Sequence, residues 1–283
     1  MRYMFPRYPG GLAKAVTFSY DDGCPQDVRL ANLFTKYGLK GTFNMNVAKN
    51  STSGITPDEV REHILGKGHE VAVHGYNHRA NGVISTTDGI RDVLLCRLEL
   101  EKEYKTIIRG MAYPDTGINR FANGTTFDKV KNYLSELGIV YSRSLYENTD
   151  KFILPTDWYD WRPTCHHDHG SIFKWIDEFF ELDLSAAIYL PKRAPMVFYI
   201  WGHSYEFDRK NNWEQIEKIC EKISGNPDVW YATNIEIYNY LHAYDELLIS
   251  SDGSVIHNPT ATKIWFVADS KDYVIDAGET LYL

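Results

Sequence analysis

The stretch VTFSYDDGCPQD, Val16–Asp27, decides the fold. It begins as an apolar run of strand length and ends on two adjacent carboxylates, Asp21 and Asp22. Through Gly23 it leads into PQDVRLANLFTKYG, an amphipathic run that stops at Gly38. Apolar run, acid pair and helix make one βα unit with its polar junction at the C-terminal end of the strand. Neighbouring like charges repel unless a positive group sits beside them. A solvated Asp-Gly turn is the simplest account of the pair, and the rest of the chain has to decide against it.

Working outward, the unit recurs. KGTFNMNV reads as a strand, and TPDEVREHILGKG as a helix with Thr56 as N-cap and Pro57 in the first helical position. HEVAVHG, IIRGMAYP and IVYSRS read as further strands, separated by the helical runs STTDGIRDVLLCRLELEKEYK and TTFDKVKNYLSELG. The pattern loosens between Leu145 and Gly170. It resumes with helix SIFKWIDEFFEL, strand PMVFYIWGH, helix WEQIEKICEKIS, strand VWYAT and helix IEIYNYLHAY. Alternation of this kind predicts an α/β fold, a parallel sheet with helices outside. About seven such strands fit a closed or partly closed (β/α) barrel over residues 1–247. Residues 248–283 have no helical period and short β-rich runs between Asp-Gly, Asn-Pro and Ala-Gly turns. They are too few for an independent domain and predict a small C-terminal β appendage packed on the barrel.

Composition narrows the function. The net charge is −8 and no long basic run occurs, so neither nucleic acid nor an anionic membrane is expected as partner. Aromatic residues make up 14% of the chain, enough to supply both a core and flat rings for a sugar-binding cleft. Cys24, Cys96, Cys165 and Cys220 are widely spaced and form no C-x-x-C pair, so they read as free thiols rather than a disulfide framework or zinc knuckle. The opening residues MRYMFPRYPGGLAKAV lack the apolar segment of a signal peptide, and no apolar run reaches membrane-span length. The chain as given therefore reads as soluble and cytoplasmic, unless a targeting segment has been removed.

Function in a parallel barrel gathers at the C-terminal strand ends. Those ends carry Asp21-Asp22-Gly23, His74-Gly75-Tyr76-Asn77-His78, Tyr113-Pro114-Asp115 and Trp201-Gly202-His203. Two imidazoles four residues apart, joined by a carboxylate from Asp21 or Asp22, form a His2Asp set with room for water, as a catalytic divalent ion requires. CHHDH, Cys165–His169, is a second group of metal-ligating residue types. Three histidines within four residues do not readily converge on one ion, so a substrate contact at the rim is the reading favoured over a second metal site.

TFSYDDG, HGYNH, YP and WGH, in that order and spacing, resemble the polysaccharide deacetylase family, the NodB-homology domain of carbohydrate esterase family 4. The resemblance covers about Ala13 to Ala243. It implies a deformed (β/α) barrel that removes N-acetyl or O-acetyl groups from glycans with one divalent metal, zinc first, with cobalt, nickel or manganese as alternatives. It implies that Asp21 is the general base, that Asp22, His74 and His78 hold the ion, and that His203 is the general acid. The metal with a backbone N–H in Tyr113-Pro114-Asp115 would stabilise the oxyanion. Asp157-Trp158-Tyr159-Asp160-Trp161 matches the family's D-x-x-D-W motif, so Asp160 would orient His203 and Trp161 would wall the acetyl pocket. Tyr205 and Glu206, just past His203, are left outside the site.

The chain also departs from the pattern. Gly75 stands where a Ser or Thr is usual. The arginine expected before the third motif's proline is missing, with Arg109 and Arg162 as distant substitutes. Two other readings stay open: hydrolysis of a non-peptide C–N bond in a small non-sugar amide, and a non-catalytic carbohydrate-binding barrel.

Overall fold

The computed structural model describes residues 2–47, 54–148, 150–184 and 194–283. After a short strand β1 (Met4–Arg7), the chain enters β2 (Lys14–Asp21), which is buried from Ala15 to its end. A strand this apolar is stable only when both of its faces are covered. β3 (Gly41–Met45), β4 (Glu70–Val73), β5 (Gly110–Ala112) and β6 (Tyr141–Arg143) follow on one side. β7 (Cys165–His166) and β8 (Met196–Gly202) lie on the other, giving the order β6-β5-β4-β3-β2-β8-β7. All these pairs are parallel, and β9 (Val229–Tyr231) adds to β2.

The distortion of the barrel starts at β2. β8 pairs with it from Lys14 to Tyr20, while β9 pairs at Lys14–Val16 and β3 at Phe18–Asp21, so β9 and β3 divide one edge between them. The sheet is thus a curled half-barrel rather than an even ring. Beside β6 the seam is patched by one parallel bridge, Arg143 with Trp161, and by Ser144 N–H donating to the Trp161 carbonyl at 3.1 Å. The register brings Asp21 beside Asn44, Ala112 beside Arg143, and His166 beside Trp201. One rim therefore collects the ends of β2, β5, β6, β7 and β8.

Inside the barrel, buried Glu70 faces the start of the helix Asn234–Asp245. It accepts from Ile235 N–H at 2.9 Å, Thr42 Oγ1 at 2.8 Å and Tyr141 OH at 2.7 Å. A carboxylate at a helix N-terminus meets the free N–H groups there.

The β-rich end forms β10 (Leu248–Ile249), β11 (Val255–His257), β12 (Ile264–Ala268), β13 (Lys271–Ile275) and β14 (Thr280–Tyr282). They make two antiparallel sheets, β10-β11-β14 and β1-β12-β13. The expectation of a purely C-terminal appendage is corrected here, because Met4–Arg7 pairs with Trp265–Ala268. That pairing spans nearly the whole chain and leaves no local signal. Ile256, Ile264, Phe266 and Ile275 pack with Tyr8, Tyr240 and Leu241 in a second core against the barrel. Among the described residues no helix is long and apolar enough to cross a membrane.

Candidate active site

Asp21 closes β2 and Asp22 turns the chain out of it at φ 83°, a left-handed conformation that Asp tolerates better than most residues. The turn separates the two neighbours. Asp21 accepts from Asn44 Nδ2 at 2.8 Å and from Arg143 Nη2, while Asp22 accepts from Asn46 Nδ2 at 2.8 Å. Burial pushes the Asp21 carboxyl up, but the charges of Arg143, His74 and His203 outweigh it and hold the group below the usual range. The adjacent acids are not a solvated turn: both are buried.

His74 leaves the end of β4 and His78 sits four residues on, at φ 55°. His74 Nδ1 is 2.9 Å from the Ala112 carbonyl, which can only accept, so Nδ1 carries the proton and Nε2 the lone pair. Burial drives this imidazole down to about 4, which keeps it neutral. Nε2 of His74 is 3.9 Å from Asp22 Oδ1, and Nε2 of His78 is 3.3 Å from the same oxygen. The three donor atoms lie within 4.8 Å of one another, and a second-sphere carbonyl fixes the tautomer of His74. This N,N,O set fits a zinc-like ion.

Gly75 has a physical reason. Its φ is +77° and a Cβ there would stand 2.5 Å from Asp92 Oδ2, so a Ser or Thr would not fit. Asp92, from the helix Thr86–Tyr104, steadies the loop instead. Its Oδ1 accepts from the Asn77 backbone N–H at 2.7 Å and from Asn77 Nδ2 at 3.1 Å, and its carbonyl accepts from Tyr76 N–H at 3.1 Å.

The arginine missing from the third motif is supplied by Arg143, at the end of β6, and neither Arg109 nor Arg162 takes that place. Fully buried Arg143 binds Asp21 and lies 4.5 Å from the centre of the Trp201 ring. The available signal was a charge closing an otherwise apolar strand, IVYSRS.

His203 follows β8 beside the same cleft. Its Nδ1 is 2.7 Å from Glu206 Oε1, three residues on in the short helix Tyr205–Lys210. Burial lowers the imidazole, but the bond to Glu206 and the charges of Asp21 and Asp22 raise it overall. Nδ1–H donates to the carboxylate, leaving Nε2 for a transferable proton. Glu206 therefore holds the place expected for Asp160, whose Oδ2 is instead bound by Arg162 Nε at 3.0 Å and Nη2 at 2.8 Å. Trp161 is no wall of the pocket either. It is 1% exposed and packs against Tyr141, Trp158 and Tyr199 at the seam.

The oxyanion expectation also changes. The Tyr113 N–H already donates to the Arg143 carbonyl at 3.0 Å and Pro114 has no N–H, so of Tyr113–Asp115 only Asp115, which lines the cleft, remains for that role. Tyr113 lines the cleft as a ring, with its OH on the Tyr159 carbonyl at 2.9 Å. The cleft measures about 520 Å³ and brings Asp21, Asp22, His74, His78 and His203 together under Trp201, Tyr205 and Tyr146. CHHDH is only partly loop: Cys165 and His166 are strand β7, and His167–His169 form the turn that follows it at the rim.

Residues 10–141 match the family profile described as polysaccharide deacetylase, so the resemblance read from the motifs holds over that span. No curated protein matches the chain. A solved probable polysaccharide deacetylase from Pseudomonas aeruginosa PAO1 is similar at TM-score 0.61 and 14% identity, covering 86% of this chain and 94% of that one. A putative polysaccharide deacetylase from Mycobacterium smegmatis gives 0.57 and 16%, over 85% and 94%. The structure titled PuuE allantoinase gives 0.58 and 15%, over 84% and 93%. At these identities the likeness shows the fold, and the deformed barrel is common to all three.

Proposed function

We propose that this chain, whose residues 10–141 carry the polysaccharide deacetylase pattern, is a divalent-metal-dependent hydrolase that removes acetyl groups, N-acetyl first, from a poly- or oligosaccharide. The observation that carries this reading is the meeting of an arginine-held carboxylate, an Asp-His-His donor set and a carboxylate-held imidazole in one cleft. Asp22, His74 and His78 hold the ion, zinc by donor chemistry. When bound, it polarises the acetyl carbonyl and favours the attacking oxygen's deprotonation.

Asp21 takes the proton from the attacking water. Arg143 and Asn44 fix its two oxygens, so the carboxylate stays ionised and correctly turned. His203 gives its Nε2 proton to the departing nitrogen, because an amine leaves only as the protonated species. Glu206 keeps that imidazole oriented and charged. Trp201 and Tyr205 present apolar faces on which a pyranose ring stacks.

The test is acetate release from a panel of N-acetylated and O-acetylated oligosaccharides, using protein stripped of metal and reloaded with zinc, cobalt, nickel or manganese. Metal-restored acetate release supports the reading. Release of ammonia or ring opening of cyclic amides, with no acetate from any glycan, replaces it with hydrolysis of a small-molecule C–N bond. Sugar binding with neither chemistry leaves a carbohydrate-binding barrel.

A further inference from the structure

The segment after β7 holds a second group of metal-binding residue types, outside the cleft. We propose that His166, His167, Asp168 and Glu206 form a closed, structural site for a second zinc-like ion. Their four donor atoms lie within 4.8 Å of one another. His167 Nε2 is 3.5 Å from Asp168 Oδ2 and 3.5 Å from Glu206 Oε2, and His166 Nδ1 is 4.0 Å from Asp168 Oδ2. Ligands about 2.0–2.1 Å from a tetrahedral centre stand roughly 3.4 Å apart. The spacing therefore needs only small movements to close on an ion.

His167 is the independent observation. It is 0% exposed, its Nδ1 has no partner, and its Nε2 meets the two carboxylates only at 3.5 Å, the edge of hydrogen-bond reach. Its ring is stacked on Tyr20 at 5.7 Å and 6°, and lies 4.3 Å from the Phe207 ring. A buried polar group without a partner costs about 1–3 kcal/mol. The backbone is shaped to admit the ring all the same: a Cβ on Gly202 would stand 2.0 Å from His167 Nδ1. An ion on Nε2 would replace two long, weak contacts with a direct bond.

The other donors suit the same role. The Asp168 N–H donates to His166 Nδ1 at 3.2 Å, which marks Nδ1 as the nitrogen with the lone pair. That weak bond is the one an ion replaces, while Nε2 stays turned to Glu206 Oε1 at 3.5 Å. His169 is outside the set, stacked on Trp175 at 4.1 Å. The Lys210 ammonium rests on Asp168 and lies 3.2 Å from Glu206 Oε2. It neutralises the carboxylates without satisfying His167, and with 49% of its side chain exposed it is free to withdraw. Four protein donors leave no open position, which marks a structural site rather than a catalytic one. Its effect passes through Glu206, whose Oε1 holds His203. The ion would clamp the carboxylate that positions the proposed acid.

The experiment counts metal. Chelator-stripped protein is dialysed against zinc, and separately against cobalt for its visible absorption, and bound metal per chain is measured by mass spectrometry. The proposal requires one equivalent that survives His78→Gln and is lost in both His167→Gln and Asp168→Asn. Asp168 is partly exposed, so its variant tests the count even if His167→Gln fails to fold, with circular dichroism confirming the fold. Lys210→Met should tighten this equivalent at least tenfold. If the only equivalent disappears with His78→Gln and is untouched by Asp168→Asn, the group is an ion-pair network and the proposal is overturned. The outcome does not depend on whether the cleft deacetylates glycans.

Discussion

Two histidine–carboxylate clusters lie at one end of this barrel, built from nearly the same residue types but with different neighbours. The first, Asp22 with His74 and His78, takes a neutral amide from Asn46 and has an arginine-held carboxylate, Asp21, beside it. The second, His166, His167, Asp168 and Glu206, carries a lysine ammonium on its carboxylates, and one of them is shared with His203. Donor type and spacing make both plausible ion sites. The neighbours separate them: a free base beside three donors suits the proposed catalytic centre, and a fourth donor in place of the base suits the proposed clamp.

The two clusters should differ most when one carboxylate is removed from each. Asp21→Asn should lower acetate release on the order of 10²–10⁴-fold while zinc still binds, because an amide takes no proton at neutral pH. Asp22→Asn should lose ion and turnover together. Asp168→Asn should keep most of its turnover. Equal losses in Asp21→Asn and Asp168→Asn, measured on metal-loaded protein, would show that the clusters do not divide the work.

Next is the cation of each side. Arg143→Met strips a fully buried carboxylate of its partner and should cost about 3–5 kcal/mol in denaturant unfolding. Lys210→Met, at a half-exposed ammonium, should change stability by about 0–1 kcal/mol. A larger loss from Lys210→Met would make the lysine the intended occupant of the second cluster.

The two sides are joined by a buried bond: Ser204 Oγ donates to Asp27 Oδ1 at 2.5 Å, and Cys24 N–H to Oδ2 at 3.0 Å. Burial drives the Asp27 carboxyl up to about 7, against an ordinary 3.8. The folded chain therefore holds a proton that the unfolded chain releases at lower pH. This costs no stability below about pH 4 and a progressively larger amount up to about pH 7. Asp27→Asn lacks this dependence, so its stability relative to the parent should rise by up to roughly 4 kcal/mol across that window. Parallel unfolding curves at every pH would mean that Asp27 is ionised throughout.

A local effect should come from the support of the first cluster. Asp92→Ala releases the loop that carries His74 and His78 and should weaken zinc there by about 10–100-fold. Titration of the same variant should leave the second cluster unchanged, and matched weakening at both would deny their independence.

What the sequence disclosed follows from how local each signal is. DDG, H-x-x-x-H and W-G-H sit on single strand ends, so the alternation of strand and helix was enough to place Asp21, Asp22, His74, His78 and His203 on one rim. Arg143 was hidden because its partner lies 122 residues away, although a charge at the tip of an apolar strand marked it. Glu206 stands at i, i+3 to His203, a weaker sequence signal than the D-x-x-D-W match at Asp160. That match failed because Arg162, two residues on, claims the Asp160 carboxylate. β7 spans only Cys165–His166, too short for periodicity to reveal, so the histidines after it read as a loop.

The pairing of β1 with β12 sets the order in which the molecule can be made. Arg2 and Asp269, which meet at 3.2 Å, are 267 positions apart. Met4–Arg7 is synthesised long before Trp265–Ala268, the strand it pairs with. Contacts of such long sequence separation form late, after their closure entropy has been met by other structure. The barrel can assemble its βα units one after another during synthesis, whereas this sheet cannot close before Trp265–Ala268 has been made. Refolding should accordingly show a slow phase in which the cleft is already formed and the last strand pair is not.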